Sequence, residues 1–261
     1  MTLKPMSVGE ILDTAFTLYK EQFKSYLSIV VIIMAVNMAF GIFALVAQRH
    51  LGNAAAGIAF LATLIAMIAI GLAAGGGLVK KASEQISDHE ISGMEALRFG
   101  FRKTWYIFLG GLLCMIIVSL ASILLVIPGI YLGNLYFLFT QVIIVEGKGP
   151  WSALKRSKEL IKGSWWRSFG IILLTYLLVA VISWAAAFVI SLIVLGLFGT
   201  GLTGQIIDLI LRTPVSCLLV PISTIATTLL YYDLRIRKEN LDLKLMVDNL
   251  SNTSGSTLSD Q

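Results

Sequence analysis

Asn134 and Gln141 are the most polar side chains in an uncharged stretch that runs from Thr104 to Val145. Seven residues apart, they fall two turns apart on one face of a helix. Carboxamides so placed either line a small cavity or hydrogen-bond to a neighbouring helix, the commoner use inside a membrane. They are the candidates for binding a small ligand. A second set is basic. In "GPWSALKRSKELIKGSWW" the residues Lys155, Arg156, Lys158 and Lys162 accompany an apolar stripe of Trp151, Leu154, Ile161 and Trp165, followed by Trp166. That pattern suits a helix lying in the interface with its aromatics buried and its cations among anionic headgroups, each contributing about 1 kcal/mol. The same charges also serve retention of the segment in the cytoplasm during insertion.

No catalytic residue emerges. There is no H-E-x-x-H, no Cys/His cluster at metal-ligand spacing, no G-x-S-x-G and no phosphate-binding glycine loop. His50 and His89 fall on opposite sides of the expected membrane, and Cys114 and Cys217 lie within apolar segments, where they read as small buried side chains. No metal ligand and no cofactor is assigned, and the chain reads as a non-enzyme. The expected partners are membrane lipids, anionic ones above all, together with proteins the sequence does not specify; nucleic acid is not among them.

The elements that carry these residues follow from composition. Of 261 residues, 57% are hydrophobic and 13% charged, which marks an all-α polytopic membrane protein. A continuous helix over Thr104 to Val145 would be about 60 Å long against about 30 Å of hydrocarbon, so the stretch must double back. Pro128-Gly129 is the expected turn, with Pro128 at the far surface. The same length test gives six spans, at Tyr26–Ala47, Ala54–Val79, Trp105–Ile127, Ile130–Val145, Ser168–Phe198 and Pro214–Tyr232. None of them contains Asp or Glu, which argues against ion-coupled transport. Asp208 and Arg212, four apart, read as a local ion pair on the outer connection. Of the 20 lysines and arginines, only Arg49 and Arg212 fall on the other side from the rest, so both termini are expected in the cytoplasm of a bacterial cell. The first apolar run reads as a retained span and not as a cleaved signal.

Cytoplasmic segments repeat one grammar. Ser7 and Glu10 form a capping box before a stripe of Val8, Ile11, Leu12, Ala15, Phe16, Tyr19 and Phe23. Ser92 and Glu95 form a second, before Met94, Leu97, Phe101 and Trp105; Gly149 and Pro150 open the third. Residues 1–248 therefore read as one membrane domain of three units, each an interfacial amphipathic helix plus two spans (7–79, 92–145 and 149–232), then a cytoplasmic segment 233–248. A polar tail, 249–261, reads as disordered, and its Asn249 and Asn252 glycosylation matches as chance. G-x-x-x-G patterns at Gly71–Gly77 and Gly129–Gly133 read as close-packing sites.

"MSVGEILDTAFTLYKEQF", "VIPGIYLGNLYFLFTQVIIVEGKGPWSALKRSKELIKGSWWRSFG" and "LLYYDLRIRKENLDL" resemble a family of bacterial membrane proteins described as glycerophosphoryl diester phosphodiesterase membrane domain, or as a domain of unknown function. A looser resemblance reaches a small enterobacterial inner-membrane protein. The resemblance implies association with a phosphodiesterase and not its activity, because that activity needs a histidine-led site on a barrel, and this chain has only His50 and His89, expected on opposite sides of the membrane, and no soluble region long enough for a barrel. The expected function is a scaffold, assembly or lipid-interacting factor of the bacterial cytoplasmic membrane. The alternative is a transporter or lipid-handling protein with a cavity near Asn134 and Gln141.

Overall fold

The computed structural model describes residues 5–50 and 54–239. Among them the chain forms helices α1 (Val8–Glu21), α2 (Phe23–His50), α3 (Ala54–Ile86), α4 (Gly93–Leu124), α5 (Val126–Tyr136), α6 (Phe139–Val145), α7 (Pro150–Ile161), α8 (Trp165–Phe198) and α9 (Leu202–Glu239). No strand occurs among the described residues. Six helical segments are long and apolar enough to cross a membrane, the fourth being α5 and α6 together. The segment 240–248 and the tail 249–261, with Asn249 and Asn252, lie outside the described residues.

Two of the three amphipathic helices are separate elements. At α1 the full capping box forms: the Glu10 N–H donates to Ser7 Oγ at 3.3 Å and the Ser7 N–H to Glu10 Oε2 at 2.5 Å. Its buried face is Ile11, Ala15, Leu18 and Tyr19, while Phe16 and Phe23 of the expected stripe are exposed. Gly149 caps α7 with Pro150 in its first turn, and Gly163, at φ +88°, turns the chain into α8. The second differs. Ser92 caps α4 at 3.2 Å as expected, but the helix runs unbroken to Leu124. Within it Gly100 packs on α3, where an added Cβ would stand 2.0 Å from the Ala73 carbonyl oxygen.

The hairpin exists, but its turn is not at Pro128-Gly129. Leu125 alone is extended (φ −159°, ψ 142°) between α4 and α5. Pro128 is the third residue of α5, a first-turn position where its missing N–H costs nothing. Gly129 is helical too, and its use is close approach: a Cβ there would meet Ser122 Oγ at 1.9 Å. Pairing of Ser122 with Gly129, Val118 with Gly133 and Gly111 with Phe139 makes the two arms antiparallel. Within the expected Gly71–Gly77 segment only part of the run makes close contact. Gly71 and Gly75 have nothing within 4 Å of a built Cβ, whereas Gly76 and Gly77 touch α4. α9 starts at Leu202, well before the expected span, and carries Pro214 and Pro221 within it. Asp208 and Arg212 therefore pair on a helix, at 3.5 Å, and Asp208 also accepts from Ser191 Oγ at 2.6 Å.

Candidate functional site

Charged residues from the α6–α7 connection, α7, the start of α8 and the end of α9 converge with the N-terminal segment at one end of the bundle. At its centre is Asp233, fully buried near the end of α9. Its carboxylate accepts from Arg167 Nη2 at 2.9 Å, from Arg237 Nε at 3.0 Å and from the Met6 N–H at 2.9 Å. Both arginines also donate to the Met6 carbonyl. One carboxylate thus ties the N-terminal segment, the start of α8 and the end of α9 together. A second knot forms on Glu146, just after α6. It accepts from Arg156 Nε at 3.1 Å, Lys148 Nζ at 2.7 Å and the Tyr231 hydroxyl at 2.8 Å. Arg156 also bonds Glu239, which Arg235 holds at 3.2 Å. Burial alone would raise the Glu146 carboxyl, but the bonds from Lys148, Tyr231 and Arg156 outweigh it and hold the group below its ordinary range. Burial pulls Arg156 the other way, down, and its bonds to Glu239 and Glu146 overcome this to raise it.

The four candidate headgroup cations therefore separate. Arg156 is spent inside the fold. Lys162 is exposed, but it ends α7, and its backbone carbonyl accepts from Lys238 Nζ. Lys155 and Lys158 are exposed, pair with no carboxylate among the described residues, and line a cleft of about 160 Å³ with Trp151, Leu154, Ile117 and Tyr136. The buried stripe of α7 is Ala153, Leu154, Ser157, Leu160 and Ile161. Trp151 and Trp166, the aromatics expected to lie in the membrane interface, are 67% and 79% exposed on the protein surface. Trp165 stacks on Tyr131 and Phe169.

Asn134 and Gln141 lie on separate helices and bond different neighbours. A break at Phe137-Leu138 separates α5 from α6. Ser157 serves this break, accepting from the Leu138 N–H at 3.1 Å and donating to the Leu135 carbonyl at 2.9 Å. Asn134 Nδ2 donates to the Trp165 carbonyl and Gln141 Nε2 to Thr227 Oγ1, each at 3.1 Å. Both residues are buried, and their amide oxygens have no protein partner. Neither lines the cleft of Lys155 and Lys158.

Sequence reasoning did not find Asp233, Glu146, Tyr231 or Glu239 as a network. A signal existed for Asp233: an acid inside the apolar run "TLLYYDLRIR" with Arg237 one turn on must find cations when buried. For Glu146 and Glu239, which are 93 residues apart in sequence, no local signal exists.

An all-α bundle whose outer surface is apolar along its length and whose charges gather at one end is a multi-pass membrane protein. The chain belongs to the family described as Domain of unknown function (DUF8558), whose model matches residues 95–259. No curated protein and no solved structure matches the chain.

Proposed function

We propose that this protein is a non-enzymatic factor of the bacterial cytoplasmic membrane, a scaffold or assembly protein that holds anionic lipid against its basic end. Both termini lie in the cytoplasm in this reading, supported by the confinement of nearly all lysines and arginines to that end. The observation that carries it is the pair Lys155 and Lys158, uncompensated by any carboxylate among the described residues, beside Trp151 and the apolar walls of Ile117 and Tyr136. Two such cations near an anionic leaflet contribute about 2 kcal/mol, whereas an isolated surface pair is worth tenths. The resemblance to a phosphodiesterase-associated membrane region supports a partnership with a lipid-handling enzyme and no activity of its own. A transporter would use Asn134 and Gln141 to line a path, and both instead join helices.

Thermal unfolding in nanodiscs tests the reading. Phosphatidylglycerol is expected to raise the midpoint of the parent relative to phosphatidylcholine, and Lys155→Gln with Lys158→Gln to remove most of that gain. Equal gains in parent and variant would refute the site.

A further inference from the structure

We propose that the α4–α5 hairpin does not cross the membrane. It re-enters from the basic end, so that its apolar tip is an interaction surface for the acyl chains of the leaflet that Lys155 and Lys158 face. The proposal rests on the lipid-binding reading for its choice of leaflet, but its geometry stands on contacts within the chain.

The level of α7 is set first. Lys238 Nζ, at the end of α9, donates to the Glu159 carbonyl at 2.6 Å and to that of Lys162, and Arg156 pairs with Glu239. α7 therefore lies across the basic end. The hairpin packs on this same helix. Ser157 bonds Leu135 and Leu138, and Ile117 and Tyr136 wall the cleft of Lys155 and Lys158. Tyr131 goes further and meets the first residue of α8. Trp165 Nε1 donates to the Tyr131 carbonyl at 3.1 Å, and their rings stack at 5.6 Å.

Distance along the helices then decides. The opposite end of the α8–α9 pair is marked by Ser191 on Asp208. Ser191 is 26 residues beyond Trp165, about 39 Å of helix. Leu125, the turn, is only six residues from Tyr131, about 9 Å. A tip about 9 Å from a contact with Trp165 falls short of a surface across about 30 Å of hydrocarbon. Its surface also suits lipid. Ile123, Leu124, Leu125, Val126 and Ile127 are between 63% and 83% exposed, with no polar side chain among them. At the turn the Leu125 N–H donates to the Ala121 carbonyl at 3.0 Å. Complete crossings are then α2, α3, α8 and α9. Their number is even, so the termini remain on one side.

Electron-spin distances in nanodiscs test this, in a background with Cys114→Ala and Cys217→Ala. Nitroxides at Ile127→Cys and Lys155→Cys are expected about 15–25 Å apart, at least about 10 Å closer than a ruler pair at Lys155→Cys and Thr200→Cys, which spans the bilayer. Equal or longer 127–155 distances overturn the proposal. Ile130→Cys, also exposed, replaces Ile127→Cys should that variant misfold. A membrane-impermeant maleimide on intact cells is the companion measurement: it should modify Thr200→Cys and spare Pro128→Cys, and modification of both would equally overturn the hairpin. Failure of the Lys155 and Lys158 lipid test would leave these distances unchanged, so the two claims fall separately.

Discussion

Asp233 has no exposed surface, and a buried carboxylate is tolerable only while its partners stay. Replacing it with alanine leaves Arg167 and Arg237 facing each other and frees the Met6 N–H. Both guanidiniums keep some water contact, which softens the loss, so we expect about 2–4 kcal/mol of destabilisation in a thermal melt. A loss under about 0.5 kcal/mol would mean that the knot is ornamental. Glu146 makes a pH-dependent contribution. Its carboxyl is held below the ordinary value of 4.5, so the stabilisation is complete above that pH and is lost as pH falls through the depressed value. Melts between pH 7 and pH 3 should show the parent losing stability below about pH 4.5 and Glu146→Gln losing less. A parent and variant with parallel pH profiles would contradict the network. Ser157→Ala is expected to cost about 1–3 kcal/mol, because it strands the Leu138 N–H and the Leu135 carbonyl at the α5–α6 break.

At the scale of elements, α3 and α4 approach closely through Gly76, Gly77 and Gly100. Gly100→Ala would drive a methyl into backbone, so a loss of more than about 2 kcal/mol is expected, against almost none for Gly71→Ala, which meets open space. Equal melting temperatures for the two would show that the helices part without cost. This pair also illustrates what the sequence conveys. Apolar length located six segments, and capping residues located the starts of α1, α4 and α7, because both are local properties. Which glycine faces a neighbour is not local, so the expected Gly71–Gly77 segment did not reveal that the contact falls on Gly76 and Gly77 and not on Gly71 and Gly75. Pro128-Gly129 misled for a related reason. Proline is as compatible with a helix's first turn as with the turn before it, and only packing of Ser122 on Gly129 places the reversal at Leu125. Likewise a seven-residue spacing puts Asn134 and Gln141 on one face only if the helix between them is unbroken, and Ser157, from a different element, stabilises the break.

Across the whole molecule, charge is partitioned by function. Asp233, Glu146 and Glu239 pair with Arg167, Arg237, Arg156, Lys148 and Arg235, while Lys155 and Lys158 are among the cations with no carboxylate partner among the described residues and lie beside an exposed tryptophan. Apolar surface is partitioned too: α8 turns Leu173, Leu177, Trp184 and Phe188 outward along its length, and the α4–α5 tip offers a second apolar surface at the basic end. In the proposed reading, headgroup charge on α7 next to the apolar hairpin would hold one anionic amphiphile at both its ends. The direct measurement is native mass spectrometry of protein released from mixed phosphatidylglycerol and phosphatidylethanolamine membranes. The parent should retain phosphatidylglycerol in preference, and Lys155→Gln with Lys158→Gln should lose that preference by about tenfold or more, as about 2 kcal/mol requires. A variant that retains phosphatidylglycerol as well as the parent does would contradict the account.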